Sequence, residues 1–237
     1  PPASGYSVLN EQWNGTNWTE VGDLNVARYA AGGAGTSTAA LFITGRNPIA
    51  NTAVESWNGS SWTEIAEVNT GRYAVGATGT QTAAIAMGGT AIPPQATGLV
   101  NNELWNGNSW TEVGDLNTGR GTPGESGNAA AALVAGGSSE LATSITPKTE
   151  SWNGTAWTET GDLNTAREAP GGAGTDNINA LAFGGSVSPQ AQTEDFNGST
   201  WAEIADLNTG RTKVASNGTV TAALAAGGTT GSNTAAT

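Results

Sequence analysis

The chain has 237 residues, including 35 glycines and nine tryptophans but no cysteine or histidine, and its net charge at pH 7 is −12. Without cysteine and histidine it cannot build Ser-His-Asp or Cys-His nucleophile systems, imidazole or thiolate metal sites, or a disulfide framework. We therefore predict no metal site and no cofactor. No stretch approaches the ~20 apolar residues that a membrane span needs. The acidic charge argues against nucleic acid or an anionic membrane as a partner.

The large aromatic residues fall into five evenly spaced pairs. Consecutive pairs are separated by 44, 48, 47 and 44 residues, and an Arg follows each pair at the same steps. A period of this length, repeated five times, indicates one supersecondary unit stacked on itself. The pairs are Trp13/Trp18, Trp57/Trp62, Trp105/Trp110, Trp152/Trp157 and Phe196/Trp201, and the arginines are Arg28, Arg72, Arg120, Arg167 and Arg211.

In chain order, the first predicted strands lie within residues 6–22, and each following copy of the repeat predicts four short strands. In the second copy, the predicted strands are residues 73–77, 82–87, 103–105 and 110–113. The last two flank Asn106-Gly107, which is a strong hairpin signal because both residues tolerate the positive φ of a tight turn. The final copy contributes two strands within residues 213–227.

These elements predict an all-β fold. No window shows apolar residues at helical spacing, and glycine is too dense for stable helices. Four antiparallel strands per copy, unable to bury both faces alone, are typical of a propeller blade. We therefore predict a single domain, residues 1–237, that forms a five-bladed β-propeller of four-stranded antiparallel blades. Residues 6–22 and 213–227 would share the closing blade, which leaves no open edge, and we expect a monomer.

One pattern within the repeat is specific enough to suggest a family. A double glycine ends a strand and is followed by an acid, two aromatic positions, a Leu and an Arg. In one copy these residues are Gly88-Gly89, Glu103, Trp105, Trp110, Leu116 and Arg120. This order resembles the kelch repeat of β-propellers over essentially the whole chain. Kelch repeats usually carry Tyr where this chain has Trp13 and its equivalents, have a longer third hairpin, and form six or seven blades.

The repeat also predicts which residues are structural. The inner strands carry mainly Ala, Gly and Thr, which the narrow axis of a five-bladed ring requires. The tryptophan pairs are expected to fill the wedges between blades, because large aromatic side chains dominate core energetics. Each copy carries three acids and one Arg, for example Glu55, Glu64, Glu67 and Arg72. We interpret these acids as a solvated structural pattern that favours solubility.

Function is expected where the five copies differ. The turn between strands three and four is Asn-Gly in all five copies, and the turn between strands one and two begins with Gly in all five. In contrast, the stretch from the double glycine (or Gly45) to the next aromatic runs 12, 16, 15 and 11 residues. In an antiparallel blade that loop shares one ring face with the loop to the next blade. We call this end the variable face and predict that it binds the ligand.

The resemblance to kelch propellers implies that residues at and just after the repeat Arg, and the residue after the double glycine, line the ligand face. Aromatic side chains beside polar groups suit sugars and peptide segments alike. We therefore predict a non-catalytic recognition module that binds a glycan or a protein surface. Its candidate ligand-binding residues are Tyr29, Tyr73, Arg46, Lys213, Glu168, Thr212, Thr122, Arg28 and Arg72.

Two other functions stay open. A glycoside hydrolase would need two carboxylates about 5 to 9.5 Å apart at the axis, and only Glu125 and Glu168 fit such a placement. The other alternative is a bare repeat scaffold without a ligand. Near-identical copies indicate recent duplication, as in adhesins and in bacterial or phage surface proteins, which favours an extracellular, cell-surface or virion location. The start at Pro1 without Met predicts a processed or excised segment.

Overall fold

The computed structural model describes residues 6–91, 97–139, 144–186 and 190–230. Within these ranges the chain folds into twenty strands and contains no helix. None of the described residues therefore belongs to a helix that could cross a membrane. The predicted all-β propeller is confirmed, and its strands amount to five blades.

The strands form four complete blades between two half-blades. The N-terminal half-blade is β1 (Glu11–Trp13) and β2 (Trp18–Glu20). Blade one is β3 (Gly32–Thr36), β4 (Ala39–Ile43), β5 (Val54–Trp57) and β6 (Trp62–Glu64). Blade two is β7 (Gly76–Thr80), β8 (Ala83–Met87), β9 (Asn102–Trp105) and β10 (Trp110–Val113). Blade three is β11 (Gly124–Asn128), β12 (Ala131–Ala135), β13 (Thr149–Trp152) and β14 (Trp157–Glu159).

Blade four is β15 (Gly171–Ala173), β16 (Ala180–Phe183), β17 (Thr193–Phe196) and β18 (Trp201–Glu203), and the C-terminal half-blade is β19 (Ala215–Thr219) and β20 (Ala222–Ala226). Within every sheet, each strand pairs with the next strand along the chain in antiparallel register. The first strand of each complete blade lies at the axis, and the inner strands β3, β7, β11, β15 and β19 are neighbours in that order.

The fifth blade is divided between the chain ends, as the sequence predicts. Its outer strands β1 and β2 come from the N-terminal end, and its inner strands β19 and β20 come from the C-terminal end. The two halves form separate two-stranded sheets, and the described residues make no ladder between β20 and β1. The expectation that closure leaves no open edge is therefore wrong in this structure. We call the gap between the two half-blades the seam.

A belt of backbone hydrogen bonds joins the blades on the variable face. Ala30, Ala74, Thr122, Ala169 and Lys213 occupy equivalent positions and all have left-handed φ values of 48° to 57°. Each of the last four donates its N–H to the carbonyl of its counterpart in the preceding blade, over 2.7 to 3.2 Å. Left-handed backbone is costly for residues with a Cβ, so these bonds offset a local strain. The bond that would join Ala30 to Lys213 is not formed among the described residues.

The structure corrects one strand boundary. Residues 73–77 were expected to form the inner strand of blade two, but β7 covers Gly76–Thr80. Ala74 cannot belong to a strand because its φ is 55°. Gly79 lies inside β7 and not in the turn, and a Cβ at Gly79 would approach the carbonyl oxygen of Ala83 to 2.3 Å.

The aromatic pairs of blades two, three and four fill the wedges, as predicted. Trp105 and Trp110 are buried with Leu41 and Ile43 of blade one. The Trp110 Nε1 donates to the carbonyl of Ala66, in the loop that leaves blade one, at 3.1 Å, so the polar atom of this ring also has a partner. The pair in the N-terminal half-blade differs. Trp13 and Trp18 are 47% and 52% exposed and line a cavity together with Trp57 and Trp62 of blade one.

Buried ion pairs fasten four of the connecting loops to the blade that follows each of them. Arg72, in the loop from β6 to β7, lies 3.1 Å from Glu103 on β9, and both side chains are buried. The backbone N–H and the Nδ2 of Asn69 both donate to Glu103 Oε2 at 2.7 Å. The first acid of these repeats is therefore not part of a solvated pattern, although Glu64 and Glu67 are exposed. Equivalent ion pairs join Arg28 to Glu55, Arg120 to Glu150 and Arg167 to Glu194.

Candidate functional site

Two sets of loops meet on the variable face. Tyr29, which follows the repeat Arg, pairs with Arg46 through two backbone hydrogen bonds of 3.0 and 3.3 Å. The same antiparallel bridge recurs in the other copies, so the residue after the Arg and the residue after the double glycine lie side by side. The other bridges are Tyr73–Thr90, Gly121–Ser138, Glu168–Ser186 and Thr212–Thr229.

A cluster of aromatic and cationic side chains spans blades one and two on this face. Tyr6 and Tyr29 pack with ring centroids 5.6 Å apart, and the Arg46 Cζ lies 5.4 Å from the Tyr73 ring centroid. Tyr29 is 42% exposed, and Ile49, in the loop between β4 and β5, is 56% exposed. We call Tyr6, Tyr29, Arg46, Ile49 and Tyr73 the tyrosine–arginine patch. It contains all three tyrosines of the chain and the one Arg that lies outside the repeat frame.

Arg46 gives the patch a positive charge in an acidic protein. Its Nε donates to the carbonyl of Pro48 at 2.9 Å, which holds the guanidinium beside the Tyr73 ring. The side chain forms no ion pair with any residue in the described ranges. A cation over an aromatic ring is stabilised by the ring quadrupole, and its remaining N–H groups can still donate to a partner's carboxylate.

Four candidate ligand-binding residues are buried, which corrects their expected role. Tyr73 is buried beneath Arg46, and its hydroxyl makes no hydrogen bond with a described residue. Arg28 and Arg72 are buried in the ion pairs described above, so they position loops and do not face a ligand. The side chain of Thr212 is also buried.

The remaining candidates lie on the variable face outside the patch. Lys213 is exposed, and Thr122 and Glu168 are partly exposed. Lys213 and Thr122 belong to the left-handed belt, and Glu168 pairs with Ser186. In the part of the chain that the structure describes, these three side chains form no hydrogen bond, ion pair or ring contact with the patch. The structure thus brings together Tyr29, Arg46 and Tyr73 but not the full candidate set.

Sequence reasoning missed two members of the patch. Tyr6 carried a usable signal, because it is the third tyrosine of a chain in which the other two were already candidates. Ile49 carried no signal, since one apolar residue in a loop is ordinary, and its exposure in the loop that follows Arg46 is seen only in the fold.

A second concave site lies on the axis. A cavity of about 430 Å³ runs between the inner strands and extends to the seam beside blade one. Its lining includes Glu125 on β11, where burial raises the pKa of the carboxyl to about 8. Glu168 does not line this cavity, so the structure does not pair Glu125 with Glu168 there. Among the described residues, no group of three His, Cys, Asp or Glu side chains is placed to hold a metal ion.

Comparison with known proteins supports the fold but identifies no family and no function. No family model matches the sequence, and no curated protein matches it. Among solved structures, the chain is similar to the structure of YjhT, with a TM-score of 0.79 and 12% sequence identity. The match covers 96% of this chain and 86% of that one. A likeness at this identity shows a shared propeller-like architecture of repeated antiparallel sheets.

Proposed function

We propose that the protein is a non-catalytic recognition module that binds a partner through the tyrosine–arginine patch. The observation that carries this proposal is the gathering of all three tyrosines and of Arg46 at one end of blades one and two. Tyr and Arg are the residue types that most often supply binding energy at interfaces. The variable face is also where the five copies differ most in length and residue type.

A polypeptide segment is the partner that the patch favours. Exposed Ile49 offers an apolar contact in the same loop as Arg46, and the Arg46 guanidinium can donate hydrogen bonds to a carboxylate of the partner. A glycan is the second candidate, and the tilted pair of Tyr6 and Tyr29 rings supports it. The net charge of −12 opposes nucleic acid as a partner.

The kelch relationship belongs to this proposal as well. The residues that carry the resemblance have structural roles here that a common repeat would explain. Glu103 and Arg120 hold connecting loops through buried ion pairs, and Trp105 and Trp110 fill a wedge. A common repeat would also place ligands on the variable face.

The non-catalytic part of the proposal rests on the position of the acids. A glycoside hydrolase needs two facing carboxylates, and the pair that the sequence offered is divided between two places. Glu125 lines the axial cavity, whereas Glu168 lies in a loop bridge on the variable face.

The proposal is tested by selecting binders and then altering the patch. A phage-displayed random peptide library and a glycan array are each probed with the whole chain. We expect enriched peptides whose affinity falls about fivefold or more with Tyr29→Ala and with Arg46→Ala, which is about 1 kcal/mol each. Ile178→Ala is the matched control, because Ile178 is an exposed isoleucine in the turn between β15 and β16, on the opposite face.

The result could contradict the proposal in two ways. If Ile178→Ala weakens binding and Tyr29→Ala does not, the ligand binds the face opposite the patch, which contradicts the proposal. No enriched peptide and no bound glycan would leave the bare scaffold as the better account. A positive glycan array with no enriched peptide would replace the polypeptide with a glycan and keep the patch.

A further inference from the structure

One inner strand departs from the small-residue pattern of the others. The second residue of each inner strand is Gly33 in β3, Ala77 in β7, Gly172 in β15 and Ser216 in β19. In β11 the same position is Glu125. The axis of a five-bladed ring is narrow, so a long charged side chain at this position needs a reason.

The surroundings of Glu125 are open and mildly polar. Its cavity of about 430 Å³ falls in the size range of small-molecule sites. The residues that line the cavity near the axis include Ala34, Ala77 and Ala173, together with Ser126 and Ser216. A Cβ on Gly33, which lines the same cavity, would have its nearest neighbour 4.0 Å away. This space is therefore not filled by the neighbouring blades.

The Glu125 carboxyl has no partner in the part of the chain that the structure describes. No hydrogen bond or ion pair is formed by its side chain, and the adjoining strands β7, β12 and β15 carry no ionisable residue. In the turn after β15, Asp176 is already engaged, since its carboxylate accepts the N–H groups of Ile178 and Asn179. A buried carboxyl without a partner is costly to ionise.

We propose that the axial cavity binds a small organic amine, whose ammonium group is held by the Glu125 carboxylate. An ammonium carries donors and no acceptor, whereas an ionised carboxylate carries acceptors and no donor, so the two groups are complementary. The lining serines already have partners, since Ser216 Oγ accepts the Gly172 N–H at 3.0 Å and Ser126 Oγ lies 3.4 Å from the carbonyl of Asp176. The alanine walls accommodate the carbon skeleton.

The side chains that line the cavity favour an amine over a divalent cation or an anion. Hard divalent cations take six or more oxygen ligands and are usually held by several carboxylates, whereas this cavity offers one. An anion would meet a carboxylate and no cationic side chain among the lining residues. This site is separate from the tyrosine–arginine patch, so the proposal does not depend on the proposed function.

Ethanolamine, which is protonated at pH 7, is the probe, and its neutral analogue ethylene glycol is the matched ligand control. Calorimetry on the whole chain is expected to show binding of the amine but not of the glycol. Glu125→Gln keeps the shape of the side chain and should weaken binding about tenfold or more. Glu168→Gln removes an equal charge away from the cavity and should leave binding unchanged.

Proton release distinguishes a direct contact from a structural effect. Burial raises the pKa of Glu125 to about 8, so the free carboxyl is mostly protonated at pH 7 and must ionise to hold an ammonium. Binding measured in buffers of different ionisation enthalpy should therefore release close to one proton. Equal binding of amine and glycol, no proton release, or full binding by folded Glu125→Gln would each overturn the proposal, as would no detectable amine binding.

Discussion

Arg72 and Glu103 form a buried ion pair, 3.1 Å apart, that ties the loop entering blade two to the third strand of the same blade. Burial lowers the pKa of the Arg72 guanidinium, and the nearby Glu103 charge opposes that effect. The pair is thus costly to desolvate and is compensated by its own Coulomb attraction and by the two hydrogen bonds from Asn69. Removal of either partner leaves an uncompensated charge in the interior.

Glu103→Gln should lower the free energy of unfolding by about 3–5 kcal/mol, because Arg72 would be left buried and unpaired. Urea unfolding followed by tryptophan fluorescence measures this change. Lys148→Ala is the control, since Lys148 forms an exposed ion pair with Glu159 at 3.4 Å and should contribute less than about 1 kcal/mol. Equal effects of the two substitutions would mean that the buried pair does not hold the loop.

The tryptophan pairs should contribute unequally to the free energy of unfolding, according to their place in the ring. Trp110→Ala and Trp157→Ala should each cost about 3–5 kcal/mol, because both rings are buried between blades. Trp18→Ala should cost about 1 kcal/mol or less, since Trp18 is half exposed at the seam. Thermal and urea unfolding of the three variants gives the comparison. A large loss for Trp18→Ala would show that this ring is covered in solution.

Glu125 should make the protein less stable as the pH rises. The folded state keeps this carboxyl protonated up to a pKa of about 8, whereas the unfolded chain releases the proton near pH 4.5. Between these values the native state binds more protons, so the free energy of unfolding falls as the pH rises from 5 to 8. Glu125→Gln should remove this fall and be more stable than the parent at pH 8 by about 2 kcal/mol, a discounted value because the cavity admits water.

Urea unfolding at several pH values checks the sign. The chain has no histidine, which otherwise titrates in this window. Parallel pH profiles for the parent and for Glu125→Gln would contradict the raised pKa of the Glu125 carboxyl.

The seam should be the least protected part of the sheet system. Strands β1 and β20 each have one unpaired edge in the described structure, whereas β8 and β9 are paired on both sides. Amide hydrogens of residues 11–13 and 222–226 should therefore exchange faster with solvent than those of residues 83–87 and 102–105. Exchange followed by mass spectrometry tests this. Slow exchange at both ends would mean that β20 and β1 pair in solution.

Much of the fold could be read from the sequence, because the signals that specify it are local and repeated. The Asn-Gly turns predict hairpins wherever they occur, and five aromatic pairs at one period predict five blades. The division of the fifth blade between residues 6–22 and 213–227 follows from where the repeat pattern starts and stops. The limits predicted for strand β10 match the structure. Strand β7 begins later than predicted because Ala74 has a left-handed backbone, and the conformational preference of Ala gives no sign of that.

The candidate site depended on tertiary structure. The pairing of Tyr29 with Arg46 follows the repeat order, but the burial of Tyr73 and Arg72 depends on contacts with side chains roughly 30 residues away in sequence. The seam is equally non-local, since whether β20 meets β1 depends on the position of every intervening blade. Sequence alone thus determined the architecture, through short-range turns and a fixed repeat period. Only the tertiary structure decided which side chains are exposed, because burial depends on neighbours that the local pattern does not specify.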